Sequence, residues 1–578
     1  MPSPIPKWKK GRPSLYWVRS ARVNGHARIV EQISLGPKER VMEQIRAQCT
    51  SPPKTAALPA LQTVQIRECG ASALFYSLAQ ELGLIELINA HVPPAPPRRR
   101  TSLSVGHSLV LAAINRAAWP KSKRAFAAWY QDTVLARLVP ASREELSSQR
   151  FWDHMDLFEP EHFAPLQREL LHKMHARFPL GEQFLVYDTT NDYTFLHTFN
   201  SRPSLPQRGR NTQRRGDLRQ IALALVVDEA RGLPLSSRCD EGNVTEVVAL
   251  GTSLQEMVGQ CLPQTVSPRL TLVLDKGNVS RNNFKALQQA HFSFLAAIPA
   301  GWVRRLFQVS LKAYQPLALP DGRRIKVYGQ PNQKLAGIQG QLLVSFSPSF
   351  SRNQVRTLDL LQRKAEQKLL TLQAAIRQAV ARHRPRTEQA VKGEITQLVR
   401  HDRLKEFFAF TLRLDHKKVQ DLCWQWDRGK KRAIKHHDCG KTVLFTDRRE
   451  LERQRMVLAY RSPAKVEEMF RISKSRRPGL WWPASHWTES TLAVHALYCF
   501  VALLLIRIVL LQLQASNLSI GVDLLTERLR GMQEALVVST NGTAQRVITE
   551  RSPEQEALCM ALDVETLARQ LGNTVLHP

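Results

Sequence analysis

Phe184-Leu185-Val186-Tyr187-Asp188-Thr189-Thr190 is a run of four large apolar residues that ends on an acid. Consecutive apolar side chains cannot alternate between core and solvent, so the run reads as a strand buried on both faces with Asp188 at its end. Leu270-Thr271-Leu272-Val273-Leu274 repeats the pattern and ends on Asp275. Backbone geometry at a strand end is fixed, so an acid there can be held toward a cleft.

Outward from these two runs the pattern fills in. Tyr193 to Leu196 reads as a second strand, 201–219 as a polar, arginine-dense loop, and Ile221 to Val227 as a third strand. Residues 244–258 read as a helix, Asn283 to Ala290 as another, and Phe292 to Ile298 as a fifth strand. Three closely spaced strands, then helix, strand, helix and strand, predict an α/β protein with a mixed sheet covered on both faces. That order is the one of a ribonuclease-H-like catalytic core.

The expected organisation has six parts. Residues 1–60 form a small β module, because 14–35 alternate apolar and polar around Asn24-Gly25, a hairpin turn pair. Residues 61–180 form a helical DNA-binding or dimerisation region. The catalytic core occupies 181–299 and resumes at 441–520. Between them, 300–440 is an inserted β-rich subdomain with a long helix near 353–383 and a strand at Phe407 to Leu412. Thr442 to Thr446 returns to strand character, helices follow at 450–475 and 487–513, and 521–578 is a tail with a possible dimerisation role.

Lys and Arg number 82 against 50 Asp and Glu, a net charge of +32. An excess of that size predicts salt-sensitive attraction to phosphate backbones. Eight cysteines without a CxxC pair argue against a disulfide scaffold or a four-cysteine zinc site. The basic N-terminus is followed by no apolar run, so no signal peptide is expected. Ala496 to Ile506, the most apolar stretch, is too short to span a bilayer and reads as a buried helix, with no membrane partner expected.

The chemistry concentrates in three acids. Phosphoryl transfer on DNA uses two hard cations ~4 Å apart, and magnesium is satisfied by a few carboxylates on a rigid frame. Asp188 and Asp275 supply two; Asp192, Asp228 and Asp447 are strand-end acids of the same kind and read as decoys. The third comes from Tyr460-Arg461-Ser462-Pro463-Ala464-Lys465-Val466-Glu467-Glu468-Met469-Phe470-Arg471-Ile472-Ser473-Lys474. Seven residues separate Tyr460 from Glu467 and seven more lead to Lys474, so on one helix the three share a face, with Glu468 turned away. The other reading starts the helix at Pro463, with Ser462 as its cap.

Residues 460–474 resemble the signature of bacterial insertion-sequence transposases of the DDE type that carry a Tyr, Arg, Glu, Lys motif. The sequence matches at Tyr460, Glu467 and Lys474 and departs at Pro463, where the motif's arginine would stand; Arg461 is the nearest substitute. VYDTT at 186–190, GNVTEV at 242–247, LVLDKGNVS at 272–280 and HWTES at 486–490 are also similar to this group. The likeness covers about 180–520, with spacings of 87 residues from Asp188 to Asp275 and 192 to Glu467.

The resemblance implies a cut-and-paste transposase acting on terminal inverted repeats and target DNA. It further implies two magnesium ions held by Asp188, Asp275 and Glu467, with manganese able to substitute, and a homodimer in the bacterial cytoplasm associated with the nucleoid. Tyr460 and Lys474, with Arg461 and Arg471, would contact the phosphate beside the cut. Arg208, Arg210, Arg214 and Arg215 would grip DNA from the 201–219 loop. Trp302 either holds a flipped base during hairpin formation or caps the core of the insertion. Trp424 and Trp426, beside Arg428, Lys430, Lys431, Arg432 and Lys435, either stack on bases or pack a core. A stand-alone nuclease or resolvase, and an inactive DNA-binding relic, are the alternative functions.

Overall fold

The structure is a computed structural model. It describes residues 3–9, 12–23, 26–40, 43, 61–95, 103–178, 184–196, 200–201, 203–209, 215–245, 248, 250, 270–461, 463–474, 481, 486, 488–539 and 544–562. The chain divides into two compact units, residues 1–65 with 536–547, and residues 66–535 with 548–578.

In the first unit β1 (Ser3–Lys9), β2 (Arg12–Val23) and β3 (His26–Pro37) form an antiparallel sheet in chain order. Val23 pairs with His26, the register of a two-residue connection. The Asn24-Gly25 turn itself lies outside the described residues. β4 (Leu61–Glu68) belongs to a small sheet with two strands from near the end of the chain.

The second unit is mixed α/β and is built on a nine-stranded sheet. Its strands are β5 (Phe184–Thr194), β6 (Arg219–Asp228), β7 (Pro234–Glu241), β8 (Thr271–Leu274), β9 (Ser293–Ala297), β10 (Gln315–Ala318), β11 (Arg324–Leu335), β12 (Ile338–Phe346) and, after a long excursion, β15 (Lys441–Thr446). The order across the sheet is β10-β11-β12-β15-β9-β8-β5-β6-β7. β5, β6 and β7 are an antiparallel meander, and β8 and β9 run parallel to β5.

Two strand expectations change here. Tyr193 is not in a separate strand: β5 pairs with β6 without a break from Leu185↔Asp228 to Thr194↔Arg219. The backbone ladder carries the strand through its polar middle, where Asp188 to Asn191 are half-buried. The third meander strand is β7, whose polar Ser236 and Ser237 give it no apolar run in the sequence. Gln167 makes their burial possible: its Oε1 accepts from Ser236 Oγ at 2.8 Å and Ser237 N at 2.9 Å, and its Nε2 donates to Ser237 O at 3.1 Å.

Helices α1 (Ala71–Glu81), α2 (Leu84–His91), α3 (Val105–Ala118), α4 (Lys123–Gln131), α5 (Ser148–Met155), α6 (Pro160–Arg177) and α7 (Arg281–Gln289) share one hydrophobic core with this sheet. Residues 347–440 carry a second core around Leu369, Ile376, Val391, Leu422 and Ile434. It joins α8 (Pro348–Ala381), α9 (Glu388–Leu398), the hairpin β13 (Phe408–Asp415) and β14 (Lys418–Trp426), and α10 (Arg428–His437). The excursion leaves the sheet after Phe346 and re-enters at Lys441, and these two residues are cross-strand partners.

α11 (Arg453–Tyr460) and α12 (Pro463–Lys474) follow, so of the two readings of 460–474 the helix that starts at Pro463 is the one observed, while its expected cap, Ser462, lies outside the described residues. α13 (Glu489–Ala515) is 27 residues long. Contrary to the reading of its apolar centre as too short, the helix is long and apolar enough to cross a bilayer, but 94% of its most apolar window is buried inside the protein. That is the position of a core helix.

Candidate functional site

The parallel register of β5 and β8 sets the site. Val186 pairs with Val273, so two residues further along each strand Asp188 and Asp275 come level. Neighbouring strands lie ~4.8 Å apart, which puts the two acids side by side at one end of the ladder. β8 ends there while β5 continues, so Asp275 opens a single 3₁₀ turn and is exposed, whereas Asp188 is half-buried within its strand. One Asp188 carboxylate oxygen accepts from Thr189 N at 2.9 Å.

The 460–474 segment crosses this point and is fastened at both ends. Tyr460 Oη donates to Asp275 Oδ1 at 3.0 Å. Burial, reinforced by the charge of Asp275, pushes the Tyr460 hydroxyl's pKa well up, so it stays a donor. At the other end Lys474 Nζ donates to Thr190 Oγ1 and, at 2.9 Å, to Asn191 O, both on β5. Glu467 lies midway, on the exposed side of α12, which packs against β5 and β6. Glu468 is also exposed and stands 3.9 Å from Arg471 in a surface ion pair.

Sequence reasoning passed over Asp192 as a decoy. Residues 188, 190 and 192 alternate onto one face of β5. Asp192 is 5% exposed, its Oδ1 is 3.9 Å from Lys474 Nζ, and its Oδ2 has no hydrogen-bond partner among the described residues. Burial pushes its carboxyl up to about 6, against the pull of Lys474. Asn278, three residues beyond Asp275, was also unremarked; it is fully buried, and neither side-chain amide atom has a partner among the described residues. The signal available was only its place in LVLDKGNVS. Asp228 and Asp447 are structural: they accept from Arg231 N at 2.6 Å and Phe294 N at 2.9 Å.

No model of a known protein family matches this chain, and no curated protein matches it. Among solved structures, a cryo-EM structure of the piggyBac transposase synaptic complex with hairpin DNA is similar, at 10% sequence identity and a TM-score of 0.33. The match covers 88% of this chain and 85% of that one.

The remaining residues fall in several places. Arg471 is exposed. Arg461 is half-buried at the end of α11, where burial and then Arg323 lower its pKa while Asp321 opposes them. Arg208 is exposed, Arg215 is paired with Asp217 at 2.6 Å, and Arg210 and Arg214 lie outside the described residues. Trp302 is 38% exposed and meets the Phe284 ring edge-on at 6.3 Å, on the helix beside β9. Its neighbour Arg304 is already paired with Glu406 and Asp438, each at 3.4 Å.

Carboxylate oxygens are the right donors for a hard divalent cation, and Asp188 and Asp275 each lie two residues past the last pair of the β5–β8 ladder. Among the described residues, however, no group of three or more His, Cys, Asp or Glu is gathered closely enough to hold a metal ion.

Proposed function

We propose that this chain is a DNA transposase of the DDE type, with Asp188, Asp275 and Glu467 as its acids. The observation that carries the reading is the level placement of Asp188 and Asp275, with the Glu467 segment tied across them by Tyr460 and Lys474. The order β7-β6-β5-β8-β9, antiparallel on one side of β5 and parallel on the other, supports a ribonuclease-H-like core. The net charge of +32 supports a nucleic-acid substrate.

The three acids would hold magnesium, or manganese in its place. Held there, such ions would supply activation of an attacking oxygen and stabilisation of the leaving one. The protein's own part is placement. Tyr460 fixes the Asp275 carboxylate, Lys474 clips the end of α12 to β5, and the exposed cations Arg471 and Arg208 face the solvent from which a phosphate arrives. The substrates would be transposon ends and target DNA, processed by cut and paste in a homodimer within the cytoplasm.

Asp188→Asn, Asp275→Asn and Glu467→Gln should each abolish cleavage of duplex ends with Mg²⁺ while leaving duplex binding intact. Cleavage and electrophoretic mobility measured on the same preparations check this. Normal cutting by any of the three removes that residue from the site, and Glu468→Gln is then the next variant.

A further inference from the structure

The 347–440 excursion carries a feature that the catalytic site does not use. Arg352, Arg356 and Arg363 lie on α8 with Val355, Asp359 and Leu360 around a groove of about 470 Å³. At 100° per residue the three arginines and Asp359 fall within ~60° of arc, spaced ~6 and ~10 Å along the axis. All three arginines are exposed, and among the described residues none has an ion-pair or hydrogen-bond partner. The groove's one acid is already neutralised: Asp359 is 2.8 Å from Lys431 and 2.9 Å from Lys435, both on α10. Five cations therefore surround one acid, and the arginines are left to an external anion.

We infer that this groove is a second DNA contact, seating one phosphate backbone of a duplex along α8, and the inference rests on the DNA-processing reading above. A row of guanidiniums on a rigid helix suits a polymer of phosphates better than a single one, since planar forks each take one phosphate group. The contact reads no sequence. Trp424 and Trp426 both donate their indole N–H to Glu366 and pack against the excursion's small core, Trp426 on Phe407 and Phe408. They are the core residues of the two readings the sequence left open, and no indole is free for bases there. Phosphate contacts position a duplex without specifying it.

The test uses the full chain and two short duplexes of unrelated sequence, with affinity followed by fluorescence anisotropy as salt is raised. Replacing Arg352, Arg356 and Arg363 together by Gln should weaken both duplexes equally. It should also reduce the log–log salt slope by about 3, roughly 0.9 per lost phosphate contact. The same three changed to Lys should restore most of the slope. If the triple variant does not fold, Arg356→Gln alone should reduce the slope by about 1. An unchanged slope overturns the proposal. So does a change in oligomeric state without a change in duplex affinity. Asp188→Asn is the companion: its loss of cleavage with a full salt slope leaves the groove standing on its own measurement. A wild-type chain that binds no duplex sinks the DNA reading and the groove with it.

Discussion

Asp192 shares a face of β5 with Asp188, but its surroundings are those of a buried group. Its raised pKa means that the folded chain holds a proton which the unfolded chain has released. Below about pH 4 the carboxyl is protonated in both states and stability is unaffected. Between about 4 and 6 the unfolded chain ionises first, so stability falls as pH rises, and above about 6 the full penalty persists. A shift of about two units corresponds to roughly 3 kcal/mol. Asp192→Asn should therefore raise the melting temperature at pH 7 to 8 and lose that advantage near pH 4. It should also loosen Lys474, which retains only its bonds to Thr190 and Asn191. Thermal melts across the range decide it; an advantage that does not vary with pH would mean that packing, and not ionisation, is responsible. The burial of this acid is not legible in the sequence, because Asp192-Tyr193 reads like any polar strand end. Its ion-pair partner, Lys474, lies 282 residues away.

At the scale of elements, the excursion re-enters the sheet through Gly440. Its φ is +86°, and a Cβ there would lie 2.6 Å from Ser351 Cβ and 2.8 Å from the Phe346 ring. Gly440 N also donates to Gln354 Oε1 at 2.8 Å, so the crossing cannot easily move aside. Gly440→Ala should destabilise by roughly 1–3 kcal/mol. Gly393, inside α9 with nothing within 4 Å of its would-be Cβ, should instead gain roughly 0.5–1 kcal/mol as Ala. Equal effects of the two substitutions in denaturant melts would refute the argument. The legible elements are those whose burial is written in side chains: β8, β9 and β15 are apolar runs, read within a residue or two of their observed bounds. The long helix, expected at 353–383, runs from 348 to 381. What the sequence could not carry is pairing at a distance. Leu343 of β12 lies beside Leu444 of β15, and β10, β11 and β12 extend the large sheet, because two hydrophobic strands find each other across an entire inserted core.

For the whole molecule, α13 is the axis that joins the helices of 71–177 to the sheet, and it does so partly with polar groups. His495 Nε2 lies 2.9 Å from Trp481 O, which leaves Nδ1 to face the Tyr498 hydroxyl and His486 Nε2, the latter at 2.8 Å. Lys123 of α4 reaches in, 3.1 Å from His486 Nε2 and 3.3 Å from Tyr498 Oη, while Arg116 of α3 lies over the Tyr498 ring. Burial first, and then the cations Lys123 and Arg116, hold His486 well below the usual histidine range. His495 is held down by burial, then by His486, Arg116 and Lys123. Cys499 and the Phe151 ring complete the surroundings, and no carboxylate is among the groups acting on either histidine. A folded pKa below the unfolded one gives stability that is whole above about 6.5 and lost as pH falls. Each histidine kept neutral by the fold should cost about 1.4 kcal/mol per pH unit on the acid side. This slope is opposite in sign to that of Asp192, so it is best measured in the Asp192→Asn background. There, stability should fall steadily from pH 7 to 5, and adding His486→Gln should reduce the fall by about half, at the price of a lower starting value at pH 7. Parallel curves with and without His486 would show that the cluster is not what acid attacks. A fall of unchanged steepness that begins only below pH 5 would place the acid-sensitive groups among the surface carboxylates.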